Sequence, residues 1–176
     1  MSDLGQKPIT DLPLKPEASN MIGQMIASKV AYDMLENIEK YRAQVYPDSG
    51  NNATIGYGHL LHKGQPTDID KAMFWTPEHA ELVLHADVAP VEQALNDAVK
   101  VQLNQNQFDA LIVWTFNCGI GAMRGSSWLR ALNEGNYAAV PDLMALYNKV
   151  EVNGKLEVCA GLVNRRIAEI TLFKAA

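Results

Sequence analysis

The sequence predicts a mainly helical α+β fold, with one small antiparallel sheet near the N-terminus and helices through the remainder. Three observations carry this. β-branched and aromatic residues set between glycines are confined to a short stretch ending near His62. Two helix start signals, Thr76-Pro77-Glu78 and Asn104 with Gln107 three residues on, stand downstream of it. The run Phe108 to Phe116 is apolar nearly all round, as a helix at the centre of a core would be. A chain of 176 residues suffices for one compact domain of two lobes.

Along the chain, residues 1–18 contain Pro8, Pro13 and Pro16 with few bulky apolar side chains, and read as an extended tail. We take 1–28 as a tail or linker and 29–176 as the domain, with a β-containing N-lobe over about 29–75 and a helical C-lobe over about 76–176. A first amphipathic helix is expected over Ser19 to Arg42, where Val30, Met34, Leu35 and Ile38 recur at helical spacing. Tyr46 to Asn52 is dense in turn formers, and Ala53 to His59 suits short twisted strands joined by tight turns. This is the one β element the sequence shows us. The helix opened by Thr76 should bend or break at Pro90. Further helices are expected near Ser127–Asn133 and Tyr137–Lys149, parted by Gly135, and over Leu162–Phe173.

Composition removes several functions. The chain is 48% hydrophobic and 20% charged, an ordinary globular balance. A net charge of −5, acidic in both halves, provides no basic stripe to neutralise phosphates, so no nucleic-acid partner is expected. Nor is membrane insertion: the likeliest false alarm, Met21 to Leu35, is interrupted by Lys29 and Asp33. The opening Met1-Ser2-Asp3-Leu4-Gly5 lacks a basic n-region and an apolar core, so synthesis in the cytoplasm without a signal peptide is expected. Cys118 and Cys159 read as two buried small hydrophobes, with a single bridge left open. No metal and no cofactor is called for. His59 and His62 lack further ligand spacing, and a histidine after two glycines more often fixes local structure by hydrogen bonds.

The chemistry-bearing residues lie in the N-lobe. Glu39 stands near the C-terminal end of the first helix, Asp48 follows in a turn-rich loop, and Thr54 falls on the first strand. Glycoside hydrolysis needs one carboxylic acid to protonate the leaving oxygen and a second, ionised group to activate water or attack. Apolar helix neighbours suit Glu39 to the first task, and Ser, Gly and Asn neighbours suit Asp48 to the second. Spacing alone would equally suit two ordinary surface acids.

Three blocks in order change that balance. Glu39, Tyr46-Pro47-Asp48 and Thr54-Ile55-Gly56-Tyr57-Gly58-His59-Leu60-Leu61 form the first. Gln107 to Leu111 with Phe116-Asn117-Cys118-Gly119-Ile120-Gly121 form the second, and Gly161 to Arg166 with Glu169 the third. Together they resemble the phage lysozymes, the endolysins of glycoside hydrolase family 24, over about residues 30–173. The resemblance implies a lysozyme-like two-lobed fold with the cleft between lobes. It implies a muramidase cutting the β-1,4 bond between N-acetylmuramic acid and N-acetylglucosamine of peptidoglycan, usually with inversion. Glu39 would then be the general acid, Asp48 and Thr54 would hold the water, and Leu60, Phe116, Asn117 and Ser127 would contact glycan. Arg165 or Arg166 would tune Glu39, although either can pair with Glu169 on its own helix.

The chain departs from the family pattern at Lys40, where glycine is common, at Cys118, where an apolar residue is usual, and in its longer leading segment. We expect Lys40 to point into solvent. Two rivals stay open: a lytic transglycosylase, disfavoured by Asp48 and Thr54, and a non-catalytic wall-binding module of an injection or secretion device. The site of action is expected in the periplasm or wall, reached through a holin or a secretion system. An effector delivered in this way would have an immunity protein as partner. A monomer is expected.

Overall fold

The computed structural model describes residues 23–48 and 50–175. Helix α1 (Lys29–Glu39) is shorter than the expected Ser19–Arg42, because Ser28 caps it: the Ser28 hydroxyl accepts from the Val30 N–H. Residues 19–22 of the expected helix lie outside the described residues. The segment before the cap is pinned by side chains: Met25 N–H donates to Asn96, Ala27 N–H to Glu92 and Ser28 N–H to buried Asp109. Ala31 and Leu35 bury one face of α1. At its end Lys40 adopts φ +57° and turns the chain into the sheet. A left-handed residue at a helix end is ordinarily glycine; the exposed Lys40 occupies it here, as expected for a side chain directed to solvent.

The sheet has the order β1 (Arg42–Pro47), β2 (Ala53–Gly56), β3 (His59–His62), all antiparallel. Two glycines in the β2–β3 turn are required by geometry. Gly56 has φ +67° and a Cβ there would meet the Trp75 ring at 3.1 Å; Gly58 has φ +84°. His59 Nδ1 bonds Asp87 at 2.8 Å and His62 Nε2 bonds Asp70 at 2.9 Å, so both histidines fasten β3 to helices. Helix α2 (Asp68–Lys71) carries a Thr67–Asp70 capping box.

Helix α3 (Pro77–Ala98) runs unbroken through Pro90, against expectation. Pro90 and Ala86, whose carbonyl loses its donor, both lie on the exposed face. Water can satisfy that carbonyl, so the proline costs no buried hydrogen bond. Helix α4 (Gln105–Cys118) has the expected Asn104–Gln107 capping box and buries Phe108 through Thr115. It is the core axis. Helices α5 (Ile120–Gly125) and α6 (Ser127–Asn133) follow, then a 3-10 turn (Tyr137–Ala139) and α7 (Val140–Ala145). Trp114 meets Trp128 and Tyr147 edge-on, with ring centres 5.1 Å and 4.7 Å apart.

The expected helix over Tyr137–Lys149 ends early, and the chain enters a second β element instead. Strands β4 (Lys149–Val152) and β5 (Lys155–Val158) pair about Asn153-Gly154, both at positive φ. That is the turn Asn-Gly favours, because its twist matches the strands. The C-lobe is therefore helical with one exposed hairpin. Helix α8 (Ala160–Lys174) closes the chain against α4, burying Arg166, Glu169 and Phe173 on one face. Among the described residues no helix is long and apolar enough to cross a membrane.

Candidate active site

Glu39 is the last residue of α1, and its side chain is 23% exposed. The β2–β3 turn presses against it: a Cβ on Gly58 would lie 3.5 Å from Glu39 Oε2. On the other side Arg165 of α8 brings Nη2 to 2.8 Å from Glu39 Oε1, a close ion pair without hydrogen-bond alignment. The surroundings of Glu39 are thus not the apolar setting the helix neighbours suggested. A guanidinium from the last helix stands there.

Asp48 follows β1 and folds its loop around its own carboxylate. Oδ1 accepts from the N–H groups of Asn52 and Gly50, each at 2.8 Å, and from the Asn52 side chain at 3.2 Å. The Asn52 backbone N–H, foremost, holds the Asp48 carboxyl below its ordinary range. Thr54 is buried at 3% exposure on β2, pairing with Tyr46 on one side and Leu60 on the other. Its hydroxyl donates to the Asn52 carbonyl at 3.3 Å.

Tyr46, which the sequence reading did not single out by itself, lies on β1 two residues before Asp48. Burial pushes its hydroxyl up, and the carboxylates of Glu39 and Asp48 push the same way while Arg42 opposes them. Tyr46 is the strand partner of Thr54. Arg42 stands 5.3 Å over the Tyr46 ring. The Tyr46-Pro47-Asp48 run was the available signal.

Of the candidate glycan contacts, Leu60 is 47% exposed opposite Thr54. Phe116 is half-buried, packed against the core, and half-buried Ser127 opens α6, whose cap is Ser126. Asn117, exposed at the end of α4, accepts from Arg166 Nη2 at 2.6 Å. It also lines a hollow of about 260 Å³ with Cys118, Ala122, Tyr147, Lys149 and Leu162.

Beneath lies a buried polar cluster. Glu169, fully buried, uses Oε1 to accept from Arg166 Nη2 at 2.9 Å and from Arg165 Nε at 3.3 Å. Its Oε2 has no hydrogen-bond partner among the described residues. Burial pushes the Glu169 carboxyl up to about 7, against Arg166 and Arg165. Burial away from solvent makes the ionised form costly. Arg166 also reaches the Cys118 sulfur at 2.8 Å and stands 5.6 Å over Trp114. Both arginine pairings raised from the sequence thus occur at once. A polar chain runs from Asn117 through Arg166, Glu169 and Arg165 to Glu39. Cys118 and Cys159 are free and half-buried.

This assembly of a helix-end carboxylate, a small sheet and a helical body has the architecture of a lysozyme-like protein. An endolysin from Escherichia coli O157:H7 phage FAHEc1 matches it with TM-score 0.79 and 38% identity, covering 86% of this chain and 95% of that one. The muramidase domain of SpmX from Asticaccaulis excentricus matches with TM-score 0.77 and 32% identity, over 86% and 99%. An endolysin of Acyrthosiphon pisum secondary endosymbiont phage 1 is 36% identical over 81% of this chain and 94% of its own length. The phage lysozyme family model matches residues 36–169, and the chain belongs to that family.

Proposed function

We propose that this peptidoglycan hydrolase is a muramidase, cutting the β-1,4 bond between N-acetylmuramic acid and N-acetylglucosamine with Glu39, Asp48 and Thr54. The supporting observation is geometric: a Cβ on Gly58 in the β2–β3 turn would lie 3.5 Å from Glu39 Oε2, and that sheet carries Thr54 on β2 and runs from β1 into Asp48. Glu39 protonates the departing glycosidic oxygen. Asp48, kept ionised by the N–H groups it accepts from, takes a proton from the attacking water. Thr54 orients that water from the strand between Tyr46 and Leu60. Attack from the face opposite the leaving group inverts the anomeric carbon. Leu60, Phe116, Asn117 and Ser127 bind the glycan. None of these roles calls for a cofactor.

The test is Glu39→Gln on purified sacculi. Lysis should fall by at least about a thousandfold, with the far-ultraviolet spectrum unchanged. Muropeptides from the parent should end in reducing N-acetylmuramic acid, and the first anomer seen by NMR should be inverted. Anhydro ends would assign the chain to the transglycosylases instead, and undiminished lysis by the variant would remove Glu39 from the reaction. Holin release and secretion-system delivery would bring the same chemistry to the wall. A co-encoded immunity protein that blocks lysis would identify the second route.

A further inference from the structure

We propose that Glu169 is a positioning residue for the reaction: by sharing Arg165 with Glu39, it sets the upper pH at which Glu39 still holds the proton it must donate. The inference rests on Glu39 being the general acid. Its physical basis is the geometry of one guanidinium between two carboxylates. Arg165 Nη2 stands 2.8 Å from Glu39 Oε1, and its Nε stands 3.3 Å from Glu169 Oε1. The guanidinium is 9% exposed and Glu169 fully buried, so water screens this coupling weakly. The charges facing Glu169 are few. Its own helix supplies Arg165 and Arg166, α4 supplies the Cys118 thiol beside neutral Asn117, and α1 supplies Glu39 through Arg165. From the turn after α7 the Tyr147 carbonyl accepts from Arg166.

The sign follows from charge. A guanidinium with no competitor favours the anion of Glu39 and strips its proton at lower pH. An ionised Glu169 cancels part of that pull, and Glu39 keeps its proton longer. Because the Glu169 carboxyl titrates at about 7, its negative charge grows over the range where a general acid begins to fail. The two carboxylates then titrate as a pair. Asn117 and Cys118 fix Arg166, which leaves Arg165 as the shared cation.

Glu169→Gln preserves shape and hydrogen bonding to both arginines while removing the charge. The variant-to-parent ratio of muralytic rates should fall about threefold to tenfold between pH 5 and pH 8, up to the effect of one neighbouring charge on a carboxyl. A merely structural role would lower the rate by one factor at every pH, and a flat ratio would overturn the proposal. A second measurement requires neither turnover nor a variant. In the parent, the carboxyl carbon signals of Glu39 and Glu169, resolved by NMR, should each show an inflection at the other's midpoint. Two independent single-step curves would also overturn it. Should Glu39→Gln still lyse sacculi, the catalytic reading fails, yet the NMR curves would still report whether the carboxylates are coupled.

Discussion

Replacing Arg166 by Met tests what the buried cluster contributes to the fold, apart from any reaction. The guanidinium is 2% exposed and holds Glu169 Oε1 at 2.9 Å, Asn117 at 2.6 Å and the Cys118 sulfur at 2.8 Å. Methionine fills much of the volume but leaves Glu169 with Arg165 alone. Removing one partner of a buried ion pair costs about 3–5 kcal/mol where the remaining charge is uncompensated, and because Arg165 still faces Glu169 the loss should fall at about 3 kcal/mol. For a chain of this size that lowers Tm by about 10 °C. The Glu169 carboxyl, at about 7 against its ordinary 4.5, binds its proton more tightly in the folded chain than in the unfolded one. Its stabilising contribution is therefore complete below about pH 4.5 and is lost as pH rises through 7. Losing Arg166 pushes that carboxyl higher still, so the variant should lose more at pH 8 than at pH 5. Urea unfolding followed by circular dichroism at both values gives the comparison. Adding Glu169→Gln to the variant should recover at least about 1 kcal/mol at pH 8. Equal losses at the two pH values, or strict additivity in the double variant, would refute the account.

Gly58→Ala should cost about 1–2 kcal/mol for a side chain at φ +84°, and the new Cβ should meet Glu39. Its muralytic rate should fall further than its urea midpoint accounts for; a rate in proportion to stability would deny the contact any role. Ser28→Ala removes the α1 cap and a hydroxyl donor to fully buried Asp109, and should destabilise by about 2 kcal/mol in urea unfolding. The clip between β3 and α2 has a pH window. His62 is raised above 6.5, chiefly by the Lys63 carbonyl and then by Asp70, and Asp70 is lowered to about 2, chiefly by the Thr67 hydroxyl and then by His62. The His62 contribution is complete below 6.5 and is lost as pH rises through its folded value. That of Asp70 is complete above its ordinary 3.8 and is lost as pH falls towards 2. Amide exchange across 67–71, corrected for its intrinsic pH dependence, should be slowest at about pH 4–6.5. A minimum at alkaline pH would exclude the pair as the cause.

Much of the architecture was readable locally. Thr76-Pro77 and Asn104 with Gln107 mark helix starts because capping satisfies donors within one turn, and the structure caps both helices there. Where periodicity ran past a cap, the reading failed: α1 starts after Ser28, whose tie to Asp109 lies far away in sequence. The second hairpin was missed although Asn153-Gly154, flanked by alternating valine, leucine and charge, is the strongest short-range signal for one. Pro90 misled because the cost of a helical proline depends on whether the orphaned carbonyl is wet, which sequence does not state. In the candidate site, residues near one another in sequence could be found: Glu39, Asp48 and Thr54 sit within one stretch, and Tyr46 lay inside the motif. The link from Arg165 to Glu39 joins opposite ends of the chain. A charge pattern on one helix could suggest it, but only packing decides which acid an arginine meets.

That link bears on biosynthesis. The candidate acid ends α1, whereas its cation belongs to α8, more than a hundred residues later in the chain. A nascent chain therefore carries the complete N-terminal motif long before it owns the electrostatic setting of Glu39. The same holds for a product truncated before residue 160, which in addition leaves the apolar flank of α4 without its cover. The setting of Glu39 would thus be completed only once α8 has been made and has packed against α4.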